Sequence, residues 1–339
     1  MLEFKKCHAA VQLCRVLPVR GHGKTYGNMP MPILPPIPIL FCNSKSILSG
    51  YANLAFLTVD QSVPHHLNES AKMMKSHSLG TLLRMSNITE EYLDFLRGLG
   101  MNSSQVCRVT DEYLCGEEGF QRSEEIIRLL QKCGLSPNSL FTTYNKGIIA
   151  SKNRSENLVS ICRQMNWAKR YGIQYILCHV GDLPENDEEC YRGFIASLRQ
   201  LAAFAAENQQ YFLFETGSIP LEWLVKIFVE VNHPHLGFNF DPANVMYYNL
   251  PDSPAKMLDE LGTWIKAIHC KDGVRPAPGN QFGKETILGQ GETGFVELIA
   301  KLLKSGFDGP FIIEREIPIG PEQRRDISNA VQLLKSLGV

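Results

Sequence analysis

Five apolar runs in this chain each stop on a side chain that can ligate a metal or move a proton. YILC ends at His179, YFLF at Glu215, GFNF at Asp241, KAI at His269 and FII at Glu314. Pro242 follows Asp241 at once, so the run is cut off where its carboxylate emerges. Taken singly, each has a bland role: Asp241 as a turn former, Glu215 as the cap of a helix beginning near Pro220, His269 as a structural histidine. Recurring at the ends of five separate runs, they point to one rim. Three carboxylates crowded together repel one another unless a cation or protons compensate. Two Glu, an Asp and an imidazole suit a hard or borderline divalent ion, Mn²⁺ or Mg²⁺ first, with Co²⁺ or Zn²⁺ as the alternatives. No thiolate joins the set, which argues against a structural zinc site.

A regular scaffold must carry these residues. From about residue 79, short apolar runs predict strands at 80–85, 105–109, 139–144, 174–179, 210–215, 235–241, 264–269 and 310–315. Amphipathic stretches between them predict helices over 88–100, 155–172, 189–208, 293–306 and 321–338, with Gly100 and Gly172 as stops. Eight such alternations in residues 76–339 are what a parallel (β/α)₈ barrel of the α/β class requires. In that architecture the C-terminal strand ends form the mouth, where all five rim residues would fall. A doubly wound open sheet would show a glycine-rich turn after its first strand, and none is present.

Residues 1–75 read differently: seven prolines, eight Lys or Arg against three acids, and no period of 2 or 3.6. They are expected to be an irregular N-terminal extension, which a start near Met73 or Met74 would omit. GHGKT (21–25) is no phosphate loop, because Pro18 stands where the first glycine is needed. MPMPILPPIPILF (29–41) is too short and proline-rich to span a bilayer. A net charge of −1 gives no global pull toward nucleic acid or an anionic membrane. Ten cysteines without a C-x-x-C pair fit a reducing compartment, so a soluble, cytoplasmic protein is expected, compatible with a homo-oligomer.

FETG (214–217), NFDPAN (239–244), HCKDG (269–273), LGQGETGF (288–295) and IIEREI (312–317) together resemble the xylose isomerase-like TIM barrels. The likeness is best to the sugar phosphate isomerase/epimerase branch, which includes the ketose 3-epimerases, and spans about residues 79–339. It implies that Glu215, Asp241, His269 and Glu314 bind one divalent metal. It also implies that Glu215 and Glu314 form an acid/base pair acting on the carbon next to a carbonyl. Arg275 stands where ketose epimerases place an arginine after the metal histidine. Asn244 and Leu221 replace their further histidine and glutamate, which bears on free-ketose specificity and leaves the metal set intact.

The reaction so implied is isomerisation or epimerisation of a sugar or sugar phosphate through an enediolate. His179, Asn244, Lys271 and Arg275 are the expected substrate contacts, with a local Lys271–Asp272 ion pair as the alternative for Lys271. LGQGETGF is expected to be a flexible loop entering a helix near Thr293, with Glu292 in its first turn. A metal-dependent dehydratase of a keto-inositol or cyclic keto acid would use the same four ligands. An abasic-site endonuclease on this scaffold needs further histidines; Asn244 occupies one of their places and GNQFGKE (279–285) lacks the other. A barrel that merely binds a small sugar is the non-enzymatic alternative.

Overall fold

Eight parallel strands close on themselves in the order β1-β10-β7-β6-β5-β4-β3-β2 in the computed structural model, which describes residues 77–143, 153–183 and 187–339. The strands are β1 (Leu79–Arg84), β2 (Ser103–Cys107), β3 (Pro137–Phe141), β4 (Tyr175–Cys178), β5 (Tyr211–Glu215), β6 (Leu236–Phe240), β7 (Ile265–Cys270) and β10 (Phe311–Ile313). Each coincides with one of the eight predicted runs. A short antiparallel hairpin, β8 (Asp272–Val274) with β9 (Lys284–Thr286), rises from the end of β7. Its polar residues gave no strand signal. The expected N-terminal extension lies outside the described residues.

Helices α1 (Glu90–Gly98), α2 (Asp111–Leu114), α3 (Gly116–Lys132), α4 (Arg154–Arg170), α5 (Glu188–Asn208), α6 (Leu221–Val231), α7 (Pro242–Tyr247), α8 (Pro254–Leu261), α9 (Phe295–Lys304) and α10 (Pro321–Ser336) lie between the strands. The start of α1 is set by Thr89, whose hydroxyl accepts from the Tyr92 amide at 3.3 Å. The stop of α4 follows the predicted glycine: Gly172 has φ +73°, which side-chain-bearing residues rarely adopt. No helix among the described residues is long and apolar enough to cross a membrane.

Strand alternation divides the core. Outward residues such as Leu83, Phe214 and Ile268 pack against the helices in one continuous apolar layer. Inward residues Leu177, Leu213 and Ala267, with Phe141, Tyr175 and Tyr211, plug the barrel. The next inward positions toward the C-terminal ends are Glu215, above Leu213, and His269, above Ala267. The apolar plug therefore forms the floor of a polar mouth.

Candidate active site

Asp241 shows how the local sequence builds the site. The last apolar residue of β6 is Phe240, and Pro242 opens α7, so Asp241 sits at the N-cap. Its Oδ1 accepts from the Asn244 amide at 3.0 Å, while its own N–H donates to Thr216 Oγ1 at 3.0 Å. The turn-forming role and the rim role coexist: one oxygen caps the helix and the other, Oδ2, faces the mouth. Glu215 at the end of β5 and His269 on β7 reach the same point, as does Glu314 one residue beyond β10. Glu215 caps no helix.

The four donor atoms lie within 4.8 Å of one another. Glu215 is 3% exposed, Asp241 and His269 0%, and Glu314 8%. His269 Nδ1 touches Glu215 Oε1, and stands 3.0 Å from Glu314 Oε2 and 3.8 Å from Asp241 Oδ2. Despite this closeness, neither His269 Nδ1 nor Asp241 Oδ2 makes a hydrogen bond of acceptable geometry. Buried polar atoms are otherwise almost always paired. Orphaned atoms converging from four strands fit a cation-binding centre, and three carboxylates with one imidazole suit a divalent ion. The residues present match the group the fold implies.

Surrounding side chains orient this set. His269 Nε2 lies 2.8 Å from Gln105 Oε1 on β2, across the barrel. Asn239 Nδ2 donates to Glu215 Oε1 at 3.2 Å. Lys271, 6% exposed, donates to Glu314 Oε2 at 3.3 Å and Glu316 Oε2 at 2.6 Å. Burial disfavours its charge, but Glu314, Asp241 and Glu316 outweigh that and hold its pKa above the ordinary lysine value. Burial likewise opposes ionisation of Glu314, yet His269 and Lys271 keep its carboxyl well below the usual carboxylate range. For Asp241, burial dominates and raises the pKa despite His269 and Lys271. Burial works against a charged His269, and the Glu215 and Glu314 carboxylates more than offset it, so the imidazole pKa rises well above normal.

The other expected contacts divide. His179, its side chain 46% exposed, reaches Glu215 Oε2 at 3.1 Å. Asn244 donates through Nδ2 to Thr216 O at 3.0 Å. Both line a cavity of about 350 Å³ over the acidic cluster, together with Lys271, Tyr248, Glu285 and Glu316. Arg275 is turned away: its Nη1 donates to Asn249 Oδ1 and Leu250 O, and it does not line this cavity.

Lys271 also departs from one reading, since no ion pair joins it to Asp272. Asp272 instead gathers the glycine-rich loop, accepting from Gly289 N, Gly291 N and Thr293 Oγ1 at 3.0, 3.0 and 2.7 Å. The loop is pinned. Glu292 precedes α9, whose N-cap is Gly294, and its carboxylate accepts from the Arg275 amide at 3.2 Å. The expected place of Glu292 in the first helical turn is thus corrected, because the bonds to Asp272 hold residues 289–293 away from helical geometry.

Gln105, Asn239, Glu285 and Glu316 were missed from sequence. A polar residue at an inward position of an apolar strand was the available signal for Gln105 and Asn239. Glu316 follows Glu314 by two, which on an extended chain returns to the same side. Glu285 gave no signal.

A model of the xylose isomerase-like TIM barrel family matches residues 93–337. A xylose isomerase domain protein from Planctomyces limnophilus has a TM-score of 0.69 at 24% identity, over 77% of this chain and 97% of that one. A xylose isomerase-like TIM barrel protein from Mycobacterium smegmatis, solved in complex with magnesium, gives 0.62 at 18%, over 78% and 98%. The 3-keto-D-glucoside 4-epimerase of E. coli gives 0.59 at 17%, over 77% and 100%. D-psicose 3-epimerases and a probable 3-DHS dehydratase from Bacillus anthracis share the barrel as well. No curated protein sequence matches the chain.

Proposed function

Because the chain belongs to the xylose isomerase-like TIM barrel family, we propose that it is a divalent-metal-dependent isomerase or epimerase of a sugar or sugar phosphate. The observation that carries this reading is the convergence of Glu215, Asp241, His269 and Glu314, with His269 Nδ1 and Asp241 Oδ2 left without hydrogen bonds. A divalent ion held by these four would polarise the substrate carbonyl and stabilise the enediolate that proton removal creates.

The chain's own residues do the rest. Glu215 and Glu314 enter from β5 and the end of β10, on either side of His269 in the strand order, so they flank whatever carbon sits over the cluster. Glu215 turns Oε1 inward and leaves Oε2 to His179 at the rim, as a carboxylate that both ligates and exchanges a proton requires. One carboxylate takes the proton from the carbon beside the carbonyl, and the C–H electron pair moves into the enediolate. Return of a proton by the other carboxylate to the opposite face inverts that carbon. Return at the neighbouring carbon, with the hydroxyl proton passing from one substrate oxygen to the other, interconverts aldose and ketose. Lys271 stays cationic between Glu314 and Glu316 and opposes the negative charge that builds on substrate oxygen. His179, Asn244 and Tyr248 line the cavity, where their polar groups would bind substrate hydroxyls.

The test is solvent exchange. The full-length protein loaded with Mn²⁺ or Mg²⁺ is incubated in D₂O with a panel of ketoses, ketose phosphates and keto acids. NMR should show deuterium at the carbon beside the carbonyl of at least one; exchange at no such carbon in a metal-loaded protein overturns the reading. A dehydratase begins with the same proton removal, and the Bacillus anthracis neighbour is a probable dehydratase. Enone absorbance appearing with exchange would select that outcome.

A further inference from the structure

We propose that Arg84 and Arg108, at the ends of β1 and β2, form an anion subsite that holds the phosphate or carboxylate of a charged sugar while its carbonyl sits over the acidic cluster. The proposal rests on the reading above for the substrate's sugar character, and adds its charge.

Strand geometry places Arg84 at the mouth. Leu83 is 3% exposed and packs into the outer apolar layer. Arg84 continues extended, with φ −77° and ψ 127°, so alternation turns it to the inner side. Its register partner on β2 is Cys107, and Arg108 follows directly. Thr81 and Ile313 are the last paired residues of β1 and β10, so one further step sets Leu82 beside Glu314. Arg84 then stands two residues higher than Glu314 on the adjoining strand, a rise of about 6.6 Å. That is within the length of one sugar.

The two regions share a wall. Arg84 lines a second cavity of about 490 Å³ with Tyr92, Glu314, Glu316 and Gln323. Glu314 and Glu316 also line the cavity over the acidic cluster. Glu314 and Glu316 thus border both cavities, and the ligand would lie along them between the acidic cluster and Arg84.

The charge pattern is what points to a ligand. Lys271 is consumed by Glu314 and Glu316, and Arg315 by Glu285 and Asp326. The Arg84 and Arg108 guanidiniums, by contrast, make no hydrogen bond or ion pair among the described residues, although five carboxylates (Glu215, Asp241, Glu285, Glu314 and Glu316) lie at the same mouth. Both guanidiniums act on the Cys107 thiol, which burial nonetheless pushes up to about 12. Arg108 adopts φ +61°, a left-handed conformation uncommon outside glycine and unfavourable to hold. Carried on neighbouring strand ends, two such planar forks suit the bidentate geometry of a phosphate or carboxylate.

The experiment compares ligands that differ only in that group. Calorimetry on the full-length, metal-loaded protein measures D-fructose against D-fructose 6-phosphate, and D-glucose against D-glucuronate. The native protein should bind the charged member of one pair at least about tenfold more tightly. The pair that shows it identifies phosphate or carboxylate. The advantage should vanish in the R84Q/R108Q double variant and partly return in R84K/R108K, with Mn²⁺ affinity unchanged throughout. No preference in either pair, or a preference that survives R84Q/R108Q, overturns the proposal. Because binding is read without turnover, absent deuterium exchange would sink the isomerase reading and leave this one standing.

Discussion

His269 Nε2 lies 2.8 Å from Gln105 Oε1, a bond between residues 164 positions apart, both fully buried. A carbonyl oxygen can only accept, so Nε2 carries the hydrogen and donates it. In the neutral imidazole this leaves the Nδ1 lone pair pointing at the three carboxylates, the tautomer a metal ligand needs. Replacing Gln105 by Leu should weaken Mn²⁺ binding about 10- to 100-fold, and leave a buried N–H unpaired at a cost of about 1–3 kcal/mol. Calorimetric titration and urea melts check the two effects separately. Unchanged metal affinity in a folded Q105L protein would show that Gln105 does not orient the imidazole.

Glu314→Gln keeps the side chain's shape and one oxygen donor but removes the proton acceptor. Isotope exchange should fall about 10²- to 10⁴-fold, the range for losing a positioned acid/base group, while metal binding weakens far less. Exchange rates measured at saturating Mn²⁺ decide it. Native exchange in E314Q would remove Glu314 from the chemistry and leave Glu215 as the only carboxylate base of the pair.

Asp241 performs two jobs with two oxygens, and substitutions can part them. Asn also caps helices well, so Asp241→Asn should keep α7 and lose the inward charge. Saturation of the native protein at 100 times the dissociation constant adds about 2.7 kcal/mol, or about 5 °C for a barrel of this size. D241N should lose most of that rise yet melt, metal-free, no lower than the metal-free native protein, because burial already disfavours the Asp241 charge. D241A should fall lower by about 1 kcal/mol, the worth of the cap. Thermal melts with chelator and with added Mn²⁺ read all three proteins.

Much of this arrangement is legible in the chain because burial and rim position leave opposite marks. An apolar run ending on one polar residue reports a strand and its mouth end together, which is why His179, Glu215, Asp241, His269 and Glu314 all fall at the same rim. The hairpin Asp272–Val274 with Lys284–Thr286 left no such mark, since its strands are three residues long and polar. Gln105 was readable as buried but not as a partner of His269, because strand register and barrel closure bring them together, not proximity along the chain. Arg275 illustrates the converse. Its spacing from His269 fits a substrate contact, yet the Asn249 and Leu250 oxygens capture its guanidinium.

Asp272 supplies the last test, because a loop with three glycines is held in place by one carboxylate. Asp272 is 1% exposed and bonds Gly289, Gly291 and Thr293 as well as the Gly273 amide at 2.9 Å. A Cβ on Gly291 would come within 2.6 Å of Asp272 Cγ, so the loop closes on the carboxylate with no room for a side chain. Asp272→Ala strands several buried donors at about 1–3 kcal/mol each, and should lower the urea midpoint strongly and open residues 287–294 to proteolysis. Asp272→Asn keeps one acceptor and should fall between. Lys271 directly precedes Asp272, so in both variants exchange activity should drop further than metal affinity. If D272A matched the native protein in urea and in protease resistance, the loop would owe its shape to its glycines and not to Asp272.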